Sequence, residues 1–217
     1  MVAAGSAALA ALSRGARPAL ATLARSSPPW VGDRQNAADP RGSGVNCLDA
    51  RAAPVLGGVD VVAYWSLPAG ANATRGDAER FAYEWEGYTW AFSTAANRAA
   101  FMRAPRRYAP AWGAFCAYGI SSEDWWTPAT LGPNTNPDVW RIVGSPNGSR
   151  LFLFMYCEPE RMFMTHANLS AQIALGDARW YEWFGHRGVD VYNVQCLWDA
   201  ATHGGARDAN ASIAECV

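Results

Sequence analysis

The sequence contains no lysine, because all 18 of its basic residues are arginine. Without lysine the chain cannot form a P-loop, a Schiff-base nucleophile or a lysine general base. Histidine is scarce as well. The three present (His166, His186 and His203) are too few and too scattered for a histidine-rich metal site. These absences remove several common classes of catalytic and metal centre.

The chain also lacks a strong net charge, a membrane-length apolar run and a CxxC pair. Its formal net charge is −1, so no overall field would attract nucleic acid or an anionic membrane. No apolar run reaches the roughly 18–20 residues of a membrane-spanning helix. The spacing of the five cysteines excludes a zinc ribbon or a thioredoxin-type motif. We therefore expect no nucleic-acid partner and no membrane span.

Basic residues cluster once, at Arg103, Arg106 and Arg107. They fall where a predicted helix ends, and cations there complement the helix dipole. The sequence favours a solvated helix end over a phosphate site.

Aromatic residues are abundant, with 11 tryptophans in a chain whose residues are 50% hydrophobic. Its length suffices for one domain with a proper core and additional tails. The scattered tryptophans predict a core built on large ring anchors, and an aromatic ligand cradle is the alternative.

Residues 1–32 have the composition of a targeting leader, rich in alanine, serine and arginine, with no acidic residue before Asp33. A secretory signal would use the apolar stretch Val2–Leu12, whereas an organellar transit peptide would use the whole segment. Four glycosylation sequons exceed the number expected by chance and favour a secreted or secretory-pathway glycoprotein; their asparagines are Asn72, Asn147, Asn168 and Asn210. Import into an organelle by a transit peptide remains the alternative.

The rest of the chain divides into a polar linker (33–54), a patterned domain (55–186) and a C-terminal extension of weak pattern (187–217). The domain is predicted to be α+β, a small antiparallel sheet from two β-hairpins packed with short helices. The predicted elements are a strand Val59–Trp65, a hairpin of Phe81–Trp85 with Tyr88–Phe92, a helix from Thr94 to about Arg103 capped by Ser93, a hairpin of Val139–Val143 with Leu151–Tyr156, and helices from Glu158 to about His166 and from Leu169 to Phe184.

Several short motifs follow one another in a recognisable order. The first are Gly57-Gly58-Val59-Asp60-Val61-Val62-Ala63-Tyr64-Trp65, Trp90-Ala91-Phe92-Ser93, Asn97-Arg98, Phe101, Pro105, Tyr108-Ala109-Pro110, Gly113 and Cys116-Ala117-Tyr118-Gly119. Then come Trp140-Arg141-Ile142-Val143, Leu151-Phe152-Leu153-Phe154 and Asp177-Ala178-Arg179-Trp180. This order resembles YHS-domain proteins, most specifically between Trp90 and Gly119.

The resemblance implies the same α+β fold but little about activity, because the exported single-domain members of the family have no settled function. A relative attached to copper-transporting ATPases is credited with binding metal through paired cysteines. This chain keeps only Cys116 of such a pair, so a metal site, with copper foremost, would depend on Cys116. Thiol and thioether ligands favour Cu(I), and three methionines (Met155, Met162 and Met164) lie near Cys157 in the sequence.

Cys116 has other interpretations. Its neighbours are apolar, which favours a buried and inert thiol, and a disulfide with Cys157 is a further alternative. A bridge between Cys47 and Cys196 would join the two tails of the domain, although five cysteines allow fifteen ways to draw two bridges.

Three acidic residues complete the candidates. Glu123 and Asp124 precede Trp125-Trp126, an arrangement like the paired carboxylates of a sugar site, but adjacent acids more often belong to a rim loop. Asp60 interrupts an apolar run and is expected to be buried, accepting backbone or arginine hydrogen bonds.

These observations favour a non-enzymatic exported binding module, with a metal ion, copper foremost, as the ligand class to test. One alternative is an enzyme with an aromatic-lined pocket that uses Cys116 or the Glu123/Asp124 pair. Another is a purely structural glycosylated surface module. The sequence does not separate the first interpretation from the third.

Overall fold

The computed structural model describes residues 46–128, 131, 135–145, 148–185 and 190–197. The predicted leader, most of the predicted linker, the sequons at Asn147 and Asn210, and Cys216 lie outside the described residues. Within the described ranges, no helix is both long enough and apolar enough to cross a membrane.

The described residues form two antiparallel two-stranded sheets and a series of short helices, which confirms the predicted α+β class. The strands are β1 (Ala82–Trp85), β2 (Tyr88–Ala91), β3 (Asn136–Ser145) and β4 (Gly148–Phe154). The α-helices are α1 (Ala95–Arg103), α2 (Pro105–Tyr108), α3 (Ala117–Ser122), α4 (Cys157–Met164) and α5 (Leu169–Phe184). Single 3-10 turns occur at Val55–Gly58, Ala63–Ser66 and Ala111–Ala114.

Both predicted hairpins are present. Glu86 and Gly87 join β1 to β2 with φ angles of 49° and 82°, which is the backbone of a type I′ turn and requires a glycine or another tolerant residue. The second hairpin, β3 with β4, is longer than predicted and has an irregular register between Asn136 and Trp140.

The predicted strand Val59–Trp65 is wrong. Beyond an isolated bridge at its first residue, the segment turns and enters the 3-10 turn Ala63–Ser66. Asp60 explains the difference, because its Oδ1 accepts hydrogen bonds from the backbone N–H groups of Val62 (2.9 Å) and Ala63 (3.2 Å). Such local side-chain bonds offer the backbone an alternative to a sheet, and here they outweigh β propensity.

Asp60 also holds the start of α1. Its Oδ2 accepts from the backbone N–H of Ser93, the hydroxyl of Ser93 and Nδ2 of Asn97, each at 2.7 Å. The carboxylate is fully buried, as expected, and its donors are backbone, serine and asparagine groups. Because Ser93 is engaged here, the helix is capped one residue later than predicted, by Thr94.

Two hydrophobic cores fill the molecule. The first lies between α3, α4, α5 and β4 and includes Trp112, Phe115, Phe152, Phe163 and Trp180. The second lies beneath the first hairpin and includes Tyr64, Tyr88, Trp90, Phe92 and Phe101. Aromatic rings dominate both cores, as the tryptophan count predicts, and many meet edge to face.

Residues 190–197, here called the central segment, contribute to both cores in turn. Val191 and Cys196 belong to the first core, whereas Tyr192 and Val194 belong to the second. Asn193 between them is fully buried, and its side chain bonds both the N–H and the C=O of Cys196 at 2.9 Å. The packed core therefore extends beyond the range 55–186 expected from the sequence.

Two tight turns form backbone hydrogen bonds with the central segment. Leu56 and Gly57 have φ of 52° and 61°, and Trp112 and Gly113 have φ of 48° and 62°. The N–H of Leu56 donates to the carbonyl of Asn193, and the N–H of Asn193 donates to the carbonyl of Gly113. A side chain at Gly113 would also collide with the backbone carbonyl of Val191, so glycine is required there.

The predicted pairing of Cys47 with Cys196 is present in the structure, with Cα atoms 5.0 Å apart. The bond spans 149 residues and connects the start of the described chain to the central segment. The N–H of Val194 donates to the carbonyl of Cys47 at 2.9 Å, so backbone and covalent links coincide.

We predict that Asn193→Ala lowers the free energy of unfolding by about 1–3 kcal/mol, because it leaves the buried N–H of Cys196 without a partner. The Cys196 carbonyl loses the amide of Asn193 but still accepts from the N–H of Thr135. Urea denaturation of the oxidised protein measures this. Gln195→Ala is the matched control, since Gln195 is exposed and makes one bond to the carbonyl of Asn46. Equal stability losses in the two variants would contradict the role given to Asn193.

Candidate functional site

Four of the residues singled out from the sequence, Cys116, Glu123, Met155 and Met162, line one cleft of about 230 Å³. We call it the thiol cleft. Its lining includes the thiol of Cys116, the thioethers of Met155 and Met162, the carboxylate of Glu123, and Trp125 and Trp126.

Helix α3 and strand β4 place the thiol. Cys116 is the residue immediately before α3, and it forms an isolated parallel bridge with Leu153 of β4. Gly119, one turn further on, lies against the ring of Trp126, where a side chain would collide. The absence of a side chain at Gly119 therefore allows the Trp126 ring to pack directly on α3.

Cys116 is a free thiol and only 3% exposed. Burial raises its pKa to about 11, the nearby Glu123 carboxylate adds to the rise, and hydrogen bonds with backbone groups of Gly119, Met155 and Tyr118 partly oppose it. At neutral pH the sulfur is therefore protonated and a poor nucleophile. This agrees with the structural interpretation of Cys116.

Cys157 is disulfide-bonded, whereas Cys116 is not. The alternative pairing of Cys116 with Cys157 is therefore wrong. Cys157 also offers no thiolate to a metal in this state, which leaves Cys116 as the one thiol lining the thiol cleft.

The carboxylates of Glu123 and Asp124 make contacts with different residues. Oε2 of Glu123 accepts a 2.6 Å hydrogen bond from Nε1 of the buried Trp126. The Asp124 side chain is 94% exposed and pairs with Arg179 at 2.6 Å. The carboxylates have separate structural partners, so this arrangement supports the rim-loop interpretation rather than an acid–base pair.

The possible metal ligands are limited in kind. Among the described residues, no three His, Cys, Asp or Glu side chains are grouped closely enough to hold a metal ion. The sulfur-containing residues that line the thiol cleft are Cys116, Met155 and Met162, and the acidic residues Glu123 and Glu158 line it as well. Met162 is 39% exposed and Met155 is half-buried, whereas Met164 packs against the first core and does not line the cleft.

Two of the four predicted sequons can be placed. Asn72 and Asn168 are both exposed, as attachment of a glycan requires. Asn168 also begins α5, because its Oδ1 accepts from the N–H of Ala171 at 3.0 Å.

The predicted arginine cluster is divided by a helix break. Arg103 is in the last turn of α1, whereas Arg106 and Arg107 belong to α2, which starts at Pro105. Arg106 makes ion pairs, so the three residues do not form a single solvated helix end. Arg150 joins Arg106 and Arg107 from β4, a proximity that no sequence spacing indicated.

Comparison with known proteins adds no relative. No protein-family model matches the chain, and neither the curated proteins nor the solved structures include a match.

We predict that iodoacetamide at neutral pH leaves Cys116 unmodified in the native protein and modifies it rapidly in denaturant without reductant, because burial alone protects the thiol. Peptide mass spectrometry measures the site. Cys47 and Cys196 serve as internal controls, since they should react only after reduction. Fast native labelling of Cys116 would show that the thiol is accessible or ionised.

Proposed function

We propose that the chain is an exported, non-enzymatic binding module of the YHS-like type and that its ligand site is the thiol cleft. One observation carries the proposal: Cys116 lines the same cleft as Met155 and Met162, which lie far from it in the sequence. The leader-like composition and the sequons support export, and the motif order supports the family.

The donors in this cleft suit a soft metal ion, with Cu(I) foremost. Thiolate and thioether sulfur are preferred ligands of Cu(I). Hard ions need oxygen ligands, and the two carboxylates in this lining already accept hydrogen bonds, Glu123 from Trp126 and Glu158 from Arg161. Cys116 would supply the charged ligand, and Met155 and Met162 would supply neutral ones. Bound there, the ion would be held by the module as cargo.

Protonation of Cys116 adds a condition. The ion must displace the proton of a thiol whose pKa is about 11. Metal binding through a thiolate releases that proton, so the affinity should rise with pH across the neutral range. Binding through thioethers alone would show no such pH dependence, because thioethers do not titrate. The pH dependence of the affinity therefore tests whether Cys116 is a ligand.

The observed contacts support a binding module over the enzyme alternative. Cys116 is held protonated by burial, and the carboxylates of Glu123 and Asp124 are engaged by Trp126 and Arg179. A purely structural module remains the competing interpretation, and the following titration separates the two.

Full-length protein from a eukaryotic secretory host is titrated with Cu(I), kept reduced by ascorbate, against a chromophoric competitor. We expect one Cu(I) per chain, with an affinity that rises with pH. Cys116→Ser should weaken binding at least tenfold, which corresponds to about 1.4 kcal/mol, since it removes the thiolate ligand.

Met102→Leu is the matched control for Met162→Leu, because Met102 is similarly exposed (48% against 39%) but lies outside the cleft. Only Met162→Leu should weaken Cu(I) binding. Absence of stoichiometric binding, or binding unchanged by Cys116→Ser, would reject the metal module and favour the structural one.

A further inference from the structure

A second cleft, of about 620 Å³, lies where α2 packs against β4. We call it the arginine cleft. Its lining residues are Trp65, Arg106, Arg107, Gly148, Ser149 and Arg150. No acidic residue is among them, and none of them lines the thiol cleft. The volume is in the usual range for a small-molecule site.

Arg106 is restrained by contacts with two carboxylates and an aromatic ring. Its Nη2 donates to Glu86 at 2.7 Å and its Nη1 lies 3.3 Å from Asp190. The guanidinium carbon is 5.6 Å from the centre of the Trp85 ring. These contacts restrict the side chain before any ligand arrives.

Arg150 is restrained in the same way. Its Nη1 contacts both carboxylate oxygens of Asp177, at 2.8 and 2.9 Å, and its guanidinium lies 5.5 Å from the Trp112 ring centre. Nε1 of Trp112 donates to the same carboxylate at 2.8 Å, so ring, acid and arginine form one unit. The bonds formed within the described residues use only Nη1 of Arg150, which leaves Nε and Nη2 for a ligand.

Arg107 supplies uncompensated charge. Among the described residues no carboxylate is within ion-pair distance of it. Its guanidinium instead lies 5.2 Å from the ring centre of Trp65, and the side chain is exposed. Stacking on a ring leaves the planar fork of N–H donors available for an anion.

Among the described residues, Asp177 and Asp190 form ion pairs with Arg150 and Arg106 but not with Arg107. Asp177 and Asp190 line a separate depression of about 170 Å³, which the same three arginines border. Each arginine thus presents one side to an acid or a ring and another to the arginine cleft. Restrained donors bind an anion at a lower entropic cost than mobile ones, because less rotamer freedom remains to be lost.

We propose that the arginine cleft binds a tetrahedral oxyanion, the phosphate or sulfate ester group of a small molecule. Arg107 provides the principal charge, Arg150 and Arg106 provide oriented donors, and the hydroxyl of Ser149 lies in the same lining. Arginine is the side chain best suited to such a group, because its fork can make two parallel bonds to oxygen. The site is independent of the thiol cleft, so it stands or falls separately from the copper proposal.

The test is calorimetric titration of the full-length protein with glucose 6-phosphate and, in a second arm, glucose 6-sulfate, with glucose as the neutral probe. N-glycans are removed enzymatically first, because the sequon asparagine Asn147 directly precedes Gly148. We expect saturable binding of an ester and none of glucose. The tighter arm identifies phosphate or sulfate as the source, and either result supports the proposal.

Arg107→Gln should weaken ester binding at least about tenfold, since it removes a charge-assisted contact. Arg103→Gln is the matched control, an exposed arginine of the same sequence cluster that does not line the cleft. It should change affinity less than about twofold. Both arginines are exposed and neither forms an ion pair with another described residue, so both variants should melt like the wild type.

Three results would overturn the proposal. The first is that neither ester binds at concentrations up to about 10 mM, which is weaker than ordinary specific binding. The second is that glucose binds as tightly as its esters, and the third is that Arg103→Gln weakens binding as much as Arg107→Gln. The last would show a general response to net charge rather than a built site.

Discussion

The structure depends on the central segment. Residues 190–197 pass between two aromatic cores, alternate side chains enter one core and then the other, and a buried asparagine bonds the segment to itself. Two tight turns, at Leu56–Gly57 and Trp112–Gly113, accept and donate its backbone hydrogen bonds. Neither hairpin could bury its aromatic face alone, because a two-stranded sheet has too little area. The segment, joined to Cys47 by a disulfide, makes one packed unit of both halves.

A second constraint is the fully buried carboxylate of Asp60. It accepts five hydrogen bonds, two from the turn that follows it and three from Ser93 and Asn97. A buried polar group is costly unless it is hydrogen-bonded, so this arrangement strongly restricts where the 3-10 turn Ala63–Ser66 and α1 can lie. The hydrogen bonds of Asp60 fix the positions of elements around the second core, and those of the central segment fix the positions of the two cores. In both places apolar packing stabilises a geometry that polar groups define.

The two clefts differ in chemistry because the surrounding elements differ. The thiol cleft lies over the first core, where burial keeps Cys116 neutral and leaves sulfur and aromatic surface. The arginine cleft lies at the junction of α2 and β4, where guanidinium groups rest on tryptophan rings. With no lysine in the chain, every cation can stack in this way, and rings and acids together hold the arginines in defined positions.

Sequence pattern alone determined the elements whose information is local. The Glu86-Gly87 turn, the two hairpins, the helix Leu169–Phe184 and the aromatic core follow from residue type and period. The pattern failed at Val59–Trp65, because the Asp60 side chain closed a turn where β-branched residues predicted a strand. Apart from Cys196, it gave no weight to residues 190–197, whose role arises from contacts with turns far away in the chain. Likewise Cys116 could be named as a candidate, but its neutral state and its meeting with Met155 and Met162 depend on burial and on long-range packing, which only the tertiary structure decides.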